Sequence, residues 1–202
     1  MRASREARQE ERREAILEAA LQVVAERGLS DLRMSDISDR AGMSAGHVLY
    51  YFKTKEAVLM QALRFIEDRF HAAADAELAK LPVGPERLRR LLELDLPGGR
   101  GDPRWALWLE AWTLAPHDAD IAELISELDA RWVQRLRQVV REGVSAGEFE
   151  CDDVPAFAFR FSALFDGIAV RVVTGTKRSS KRSALRTCME VAARDLRIDP
   201  VR

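Results

Sequence analysis

An all-α fold of about nine helices, a small N-terminal head followed by a larger helical body, is what this sequence predicts. Three observations carry that expectation. Apolar residues recur at three- and four-residue spacing through each long segment. No stretch alternates apolar and polar residues for long enough to make a strand. Breaks rich in Gly and Pro separate the periodic segments, the strongest being Pro97-Gly98-Gly99-Arg100-Gly101-Asp102-Pro103.

The first helix runs from residue 2 to about 28. Leu17, Leu21 and Val24 make one stripe, Ile16, Ala20 and Val23 lie beside it, and Gly28 closes it. Its opening sets Arg2, Arg5, Arg8, Arg12 and Arg13 against Glu6, Glu10 and Glu11. Ion pairs along an exposed helix and an arm reaching toward phosphates both fit that pattern.

Met34 to Phe52, MSDISDRAGMSAGHVLYYF, reads as two short helices around a tight turn. Ile37 and Ala41 share one face of the first. Gly42 suits a left-handed C-terminal residue, and Ser44 supplies an oxygen to open the second. In that second helix Val48 and Phe52 point inward, while His47, Tyr50 and Tyr51 point outward together. A short helix that offers an imidazole and two phenols to solvent suits a nucleic-acid backbone or groove.

Further on, Thr54 caps a helix of about 55–79 whose apolar face is Val58, Leu59, Ala62, Leu63, Ile66 and Phe70. Lys55 lies in its first turn, where a cation opposes the helix dipole and a partner anion would relieve it. Leu88, Leu91, Leu92 and Leu96 mark a fifth helix, and residues 103–115 a sixth. Residues 118–146 make a seventh, lined by Ile121, Leu124, Leu128, Trp132, Leu136 and Val140. Phe157, Phe161, Leu164, Phe165, Ile168 and Val172 mark an eighth. Leu185, Cys188, Met189, Ala192 and Leu196 mark the last. No internal repeat is visible.

The helix-turn-helix stretch resembles that of the TetR family of bacterial regulators. The matching residues are Ile37, Ala41-Gly42-Met43-Ser44, Gly46, Tyr51-Phe52 and Thr54-Lys55, at fixed spacing over about twenty positions. Two positions depart from the family pattern: Leu49 replaces its usual Tyr, and Arg33 its usual capping Thr. The carboxy-terminal half is similar to the choline-sensing BetI branch through WALWLEAW, REGVSAGEF and FDGIAV, which implies the branch and not the ligand. The resemblance implies a DNA-binding head over 1–52 and a ligand-binding and dimerisation body over 53–202. DNA contacts are expected from Arg33, Ser44, Ala45, Gly46, His47, Tyr50, Tyr51 and Lys55, and the resemblance implies that Lys55 meets a phosphate. Ser44, Tyr51 and Lys55 would hold phosphates; His47 and Tyr50 would meet base edges.

The body offers a possible ligand site. Trp105, Trp108 and Trp112 share one face of the sixth helix, and this face is open to two readings: core or dimer packing, and the wall of a ligand pocket. Glu110 and Asp166 lie in apolar helices and either face that pocket or pair with Arg104 or Arg171. Phe65 and Phe161 complete the candidate ligand set. His71 and His117, without spaced partners, read as structural. The eighth helix is more apolar than a half-exposed helix needs. With the resemblance, this implies a two-fold interface using Phe157, Phe161, Phe165, Ile168, Val172, Leu185 and Met189.

The bulk numbers are compatible with this. The chain has 202 residues, 47% hydrophobic and 32% charged, with a net charge of −1. Between Arg40 and Lys55 the only formal charges are cationic, from Arg40, Lys53 and Lys55. No apolar run approaches the ~20 residues of a membrane span. Cys151 and Cys188 lack metal-type spacing and read as reduced thiols of a cytoplasmic protein. There is no phosphate loop, nucleophile elbow or metal cluster, so neither an enzyme nor a cofactor is expected. The expected function is a homodimeric transcriptional regulator, a repressor released from a palindromic operator on double-stranded DNA by a small molecule. An activator of the same fold and a helical small-molecule-binding protein or enzyme are the alternatives.

Overall fold

The computed structural model describes residues 2–29 and 31–198, the side chains of 2–6 excepted. The side chains of Arg2, Arg5 and Glu6, expected to pair or to reach an anion, therefore lie outside the described residues. Among the described residues there are nine α-helices and no strand. They are α1 (Arg2–Arg27), α2 (Met34–Ala41), α3 (Ala45–Tyr51), α4 (Lys55–Leu78) and α5 (Pro85–Asp95), then α6 (Pro103–Leu114), α7 (Ala119–Ser145), α8 (Val154–Val173) and α9 (Lys181–Asp195). None is long and apolar enough to cross a membrane.

The helix ends follow from local chemistry. Thr54 Oγ1 accepts from Ala57 N–H at 3.1 Å and opens α4. Asp102 accepts from the N–H groups of Arg104 and Trp105 at 3.1 and 3.3 Å, and Pro103 sits at the first position of α6. Asp153 does the same for α8, accepting from Ala156 N–H at 2.8 Å, with Pro155 in the first turn.

The helices gather into two compact units, each made of two chain segments. One comprises residues 1–69 and 101–126, the other 70–100 and 127–202. The division does not follow the boundary expected at 52/53. The first half of α4 and all of α6 belong with α1–α3.

The first unit has a continuous apolar core in which Ile16, Leu17, Leu32, Ile37, Val48, Leu59, Leu63 and Leu107 are fully buried. The second buries Leu88, Leu91, Leu92, Leu136, Val140, Phe165, Ala169 and Cys188 as completely. Along α4 the buried ridge is Leu59, Leu63, Glu67, His71 and Ala74, at four- and three-residue steps. Ile66 and Phe70, expected on that face, are only half-buried. A carboxylate and an imidazole occupy the ridge because each has a guanidinium partner there.

Candidate nucleic-acid interface and effector site

The turn between α2 and α3 is closed by backbone bonds. Gly42 adopts φ 65° and ψ 32°, and its N–H reaches the Asp39 carbonyl at 3.3 Å. Met43 N–H reaches the Ser38 carbonyl at 2.9 Å, completing the wrapped helix end that a left-handed glycine permits. Val48 and Phe52 seat α3 in the core with 0% and 1% exposure. The α2 entrance lacks a capping hydroxyl, as Arg33 implied. Asp36 compensates by accepting from Arg33 N–H at 3.0 Å, and its other oxygen takes Arg27 at 2.9 Å.

What remains outside is the expected surface. Arg33, Ser44, Ala45, Gly46 and His47 are exposed, and Tyr50 is 71% exposed. Leu49 is also largely exposed. Tyr51 and Lys55 are half-buried. The Tyr51 hydroxyl donates to the Gln9 carbonyl of α1 at 3.4 Å, so Tyr51 ties α3 to α1. Ser44 Oγ accepts from His47 N–H at 3.3 Å and lies 3.1 Å from His47 Nδ1. Of the cations expected to make this stretch basic, Arg40 is paired with Glu26 through two bonds of 2.8 and 2.6 Å. That pairing holds the Glu26 carboxyl below its ordinary range.

The residues expected to bind a ligand divide between the two units. Phe65, Trp105, Trp108, Glu110 and Trp112 lie in the first; Phe161 and Asp166 lie in the second. In the first unit the three tryptophans pack against one another. Trp105 and Trp108 are buried, and each ring stands within about 6 Å of Trp112, at 6.1 and 5.5 Å. The Trp108 indole N–H is consumed by Glu67 Oε1 at 2.7 Å. Glu110 faces neither Arg104 nor Arg171: its Oε1 accepts from Leu29 N–H at 3.0 Å, at the end of α1. Arg104 pairs instead with Glu67. Phe65 is half-buried under the Arg69 guanidinium, 5.4 Å from its ring.

In the second unit, Asp166 is half-buried beside Phe165, whose ring lies 5.3 Å from that of Trp132. Its carboxyl is pushed up to about 7, first by burial and then by the negative charges of Asp129 and Asp95. Arg171, its expected partner, is exposed. Arg135 donates to His71 Nδ1 at 3.0 Å and forms a two-point pair with Asp75. His71 is thus a buried structural residue and His117 an exposed one.

The residues expected at a two-fold interface are mostly interior. Phe157 and Phe161 stack at 5.2 Å and are each 2% exposed; Phe165, Val172 and Leu185 are buried too. Within the single chain these five pack mainly against their own unit, Leu185 keeping the most exposure at 8%. Ile168 and Met189 remain half-exposed. The aromatic residue left outside on α8 is Phe159, 72% exposed.

A helix-turn-helix with a polar and aromatic outer face, carried by an all-helical chain, defines a DNA-binding regulator of transcription. Two family models match. Residues 16–62 match the bacterial regulatory proteins of the tetR family, and residues 85–197 match the C-terminal part of BetI-type transcriptional repressors. The chain belongs to the TetR family, with a BetI-type C-terminal region. It resembles a transcriptional regulator from Saccharomonospora viridis solved in complex with choline, at 32% identity and a TM-score of 0.84, covering 93% of this chain and 97% of that one. A TetR-family regulator from Rhodococcus sp. matches at 26% identity and a TM-score of 0.78, over 93% and 99% of the two chains. The HTH-type regulator BetI of Rhizobium meliloti is 27% identical over 160 residues, 79% of this chain and 77% of the relative. The protein is therefore a regulator of transcription.

Proposed function

We propose that the protein is a homodimeric repressor that leaves a near-palindromic operator when it binds an organic cation of the choline class. The observation that carries the effector class is the choline bound to the 32%-identical regulator. Asp166, a half-buried carboxylate on α8 in the same unit as the Trp132–Phe165 pair, supplies the matching charge: a carboxylate attracts a quaternary ammonium. The exposed Phe159, with the small exposed residues Ala163 and Gly167 further along α8, supports a partner helix there. Two-fold pairing sets two α3 helices about 34–36 Å apart, one turn of duplex. His47 and Tyr50 meet base edges, and Lys55 meets phosphate, with Arg33 beside them. Induction requires the effector to favour the conformer that does not bind DNA, by about 1–3 kcal/mol.

Genomic fragments retained by the purified protein identify the operator. The complex is then challenged with choline, glycine betaine and the neutral isostere 3,3-dimethylbutan-1-ol, followed by fluorescence anisotropy. Release by choline and not by the neutral alcohol is expected. Release by neither, or by both alike, removes the cation reading.

A further inference from the structure

We infer that Ser44 fixes the tautomer of His47, so that the outward ring nitrogen Nε2 carries the proton and reads a hydrogen-bond acceptor on a base edge. The base-reading half rests on α3 being the DNA-facing helix; the tautomer half does not. The pattern shared with the family leaves position 47 open, so this chain's histidine sets a preference of its own.

Two contacts of one oxygen carry the inference. Ser44 Oγ caps α3 by accepting from His47 N–H at 3.3 Å, and the same oxygen lies 3.1 Å from Nδ1 of the His47 ring. A serine hydroxyl has one proton and two lone pairs. The cap uses one lone pair. Donating the hydroxyl proton to Nδ1 then closes the pair with both groups satisfied, whereas an Nδ1–H would take the second lone pair and leave the hydroxyl proton to solvent. A neutral imidazole that accepts at Nδ1 carries its hydrogen at Nε2. His47 is exposed, and Nε2 is the ring nitrogen left free of Ser44.

The recognition helix therefore presents an N–H donor at this position. In the major groove guanine offers N7 and O6, adenine N7 and thymine O4, whereas cytosine offers only its amino donor. His47 selects against cytosine, and guanine, with two adjacent acceptors, suits it best. Ser44 takes a different role from the phosphate contact expected of it. Its proton is committed to the ring and not to a phosphate.

The test reads the tautomer directly. Uniformly 15N-labelled full-length protein at about pH 8, where an ordinary imidazole is neutral, gives long-range 1H–15N correlations for its histidines. The His47 pattern is identified by its loss in His47→Gln. The wild type should show the Nε2–H form. Ser44→Ala removes the directing hydroxyl and should move the ring toward a mixture. Ser44→Asp keeps a capping oxygen but can only accept, so it should reverse the ring to Nδ1–H, with circular dichroism confirming intact helices. An Nδ1–H wild type, or the same pattern in all three proteins, overturns the assignment. Selection from randomised half-sites adds the functional arm. Wild type should disfavour cytosine at one position by about tenfold, and Ser44→Asp should relax or reverse that preference. Identical base profiles overturn the base-reading half. Failure to bind any duplex, with the Nε2–H pattern intact, sinks the DNA-facing reading of α3 and leaves the tautomer assignment standing.

Discussion

Glu67 and Arg104 form a two-point ion pair, with Oε1 2.8 Å from Nε and Oε2 3.0 Å from the terminal nitrogen. Glu67 is only 3% exposed, and Trp108 donates to the same Oε1. Three side chains from α4 and α6 thus satisfy one another in the interior of the first unit. Removing the carboxylate takes two hydrogen bonds from the Arg104 guanidinium and one from the Trp108 indole N–H. Glu67→Ala should cost about 3 kcal/mol of unfolding free energy, the usual scale for breaking a buried pair from one side. Urea unfolding measures it; a loss below about 1 kcal/mol would show that water substitutes for the carboxylate.

Asp166 makes stability depend on pH in an unusual direction. Its carboxyl is raised from 3.8 to about 7 in the folded chain. Between those values the folded protein holds a proton that the unfolded chain releases. The contribution is complete below about pH 4 and is lost as pH rises through about 7, on the order of 4 kcal/mol. Asp166→Asn should remove this decline. Urea midpoints of both proteins at pH 5 and pH 8 decide it, the variant gaining on the wild type at the higher pH.

The same group should link proton and cation. Choline favours the ionised carboxylate, so wild-type affinity should rise from pH 6 to pH 8, and the Asp166→Asn profile should be weaker and flat. Calorimetric titration at the two pH values checks this. Equal slopes in both proteins would place the cation elsewhere.

Gly28 and Glu110 should behave as one unit. Gly28 has φ 74°, and a Cβ there would stand 3.0 Å from Glu110 Oε1. Gly28→Ala should cost about 1 kcal/mol for the left-handed backbone, with a further loss as Glu110 is pushed off Leu29 N–H. Glu110→Ala alone should cost about 1–2 kcal/mol for the deserted N–H. The double variant should lose less than the sum, which denaturation of all four proteins reads as a coupling energy.

On DNA, Lys55→Ala should weaken binding to all duplexes alike and reduce the salt slope by about one. Tyr50→Ala should change which sequences are selected. Anisotropy titrations across salt concentrations and a repeat of the fragment selection separate the two effects.

The helix ends and the turn were readable in the sequence because their causes are local. Gly42, Ser44 and Thr54 act on groups within a few residues, and all three act as that chemistry demands. The interior of α4 was not readable in the same way. Apolar periodicity picked Ile66 and Phe70, while Glu67 and His71 are buried through partners 37 and 64 positions away. A carboxylate flanked by Ile66 in an apolar helix was the available signal for Glu67. Along α8, helical spacing did pick the inward phenylalanines: Phe157, Phe161 and Phe165 are buried, and Phe159, off that spacing, is exposed.

The segmented make-up of the first unit bears on how this regulator can be recombined. A chimera that joins residues 1–69 to a foreign sensor leaves α6 behind. The transplanted piece would carry Glu67 without its guanidinium and Leu29 without its acceptor. A graft that retains operator recognition must bring residues 101–126 along, or else supply a replacement helix bearing an arginine and a glutamate at the positions of Arg104 and Glu110.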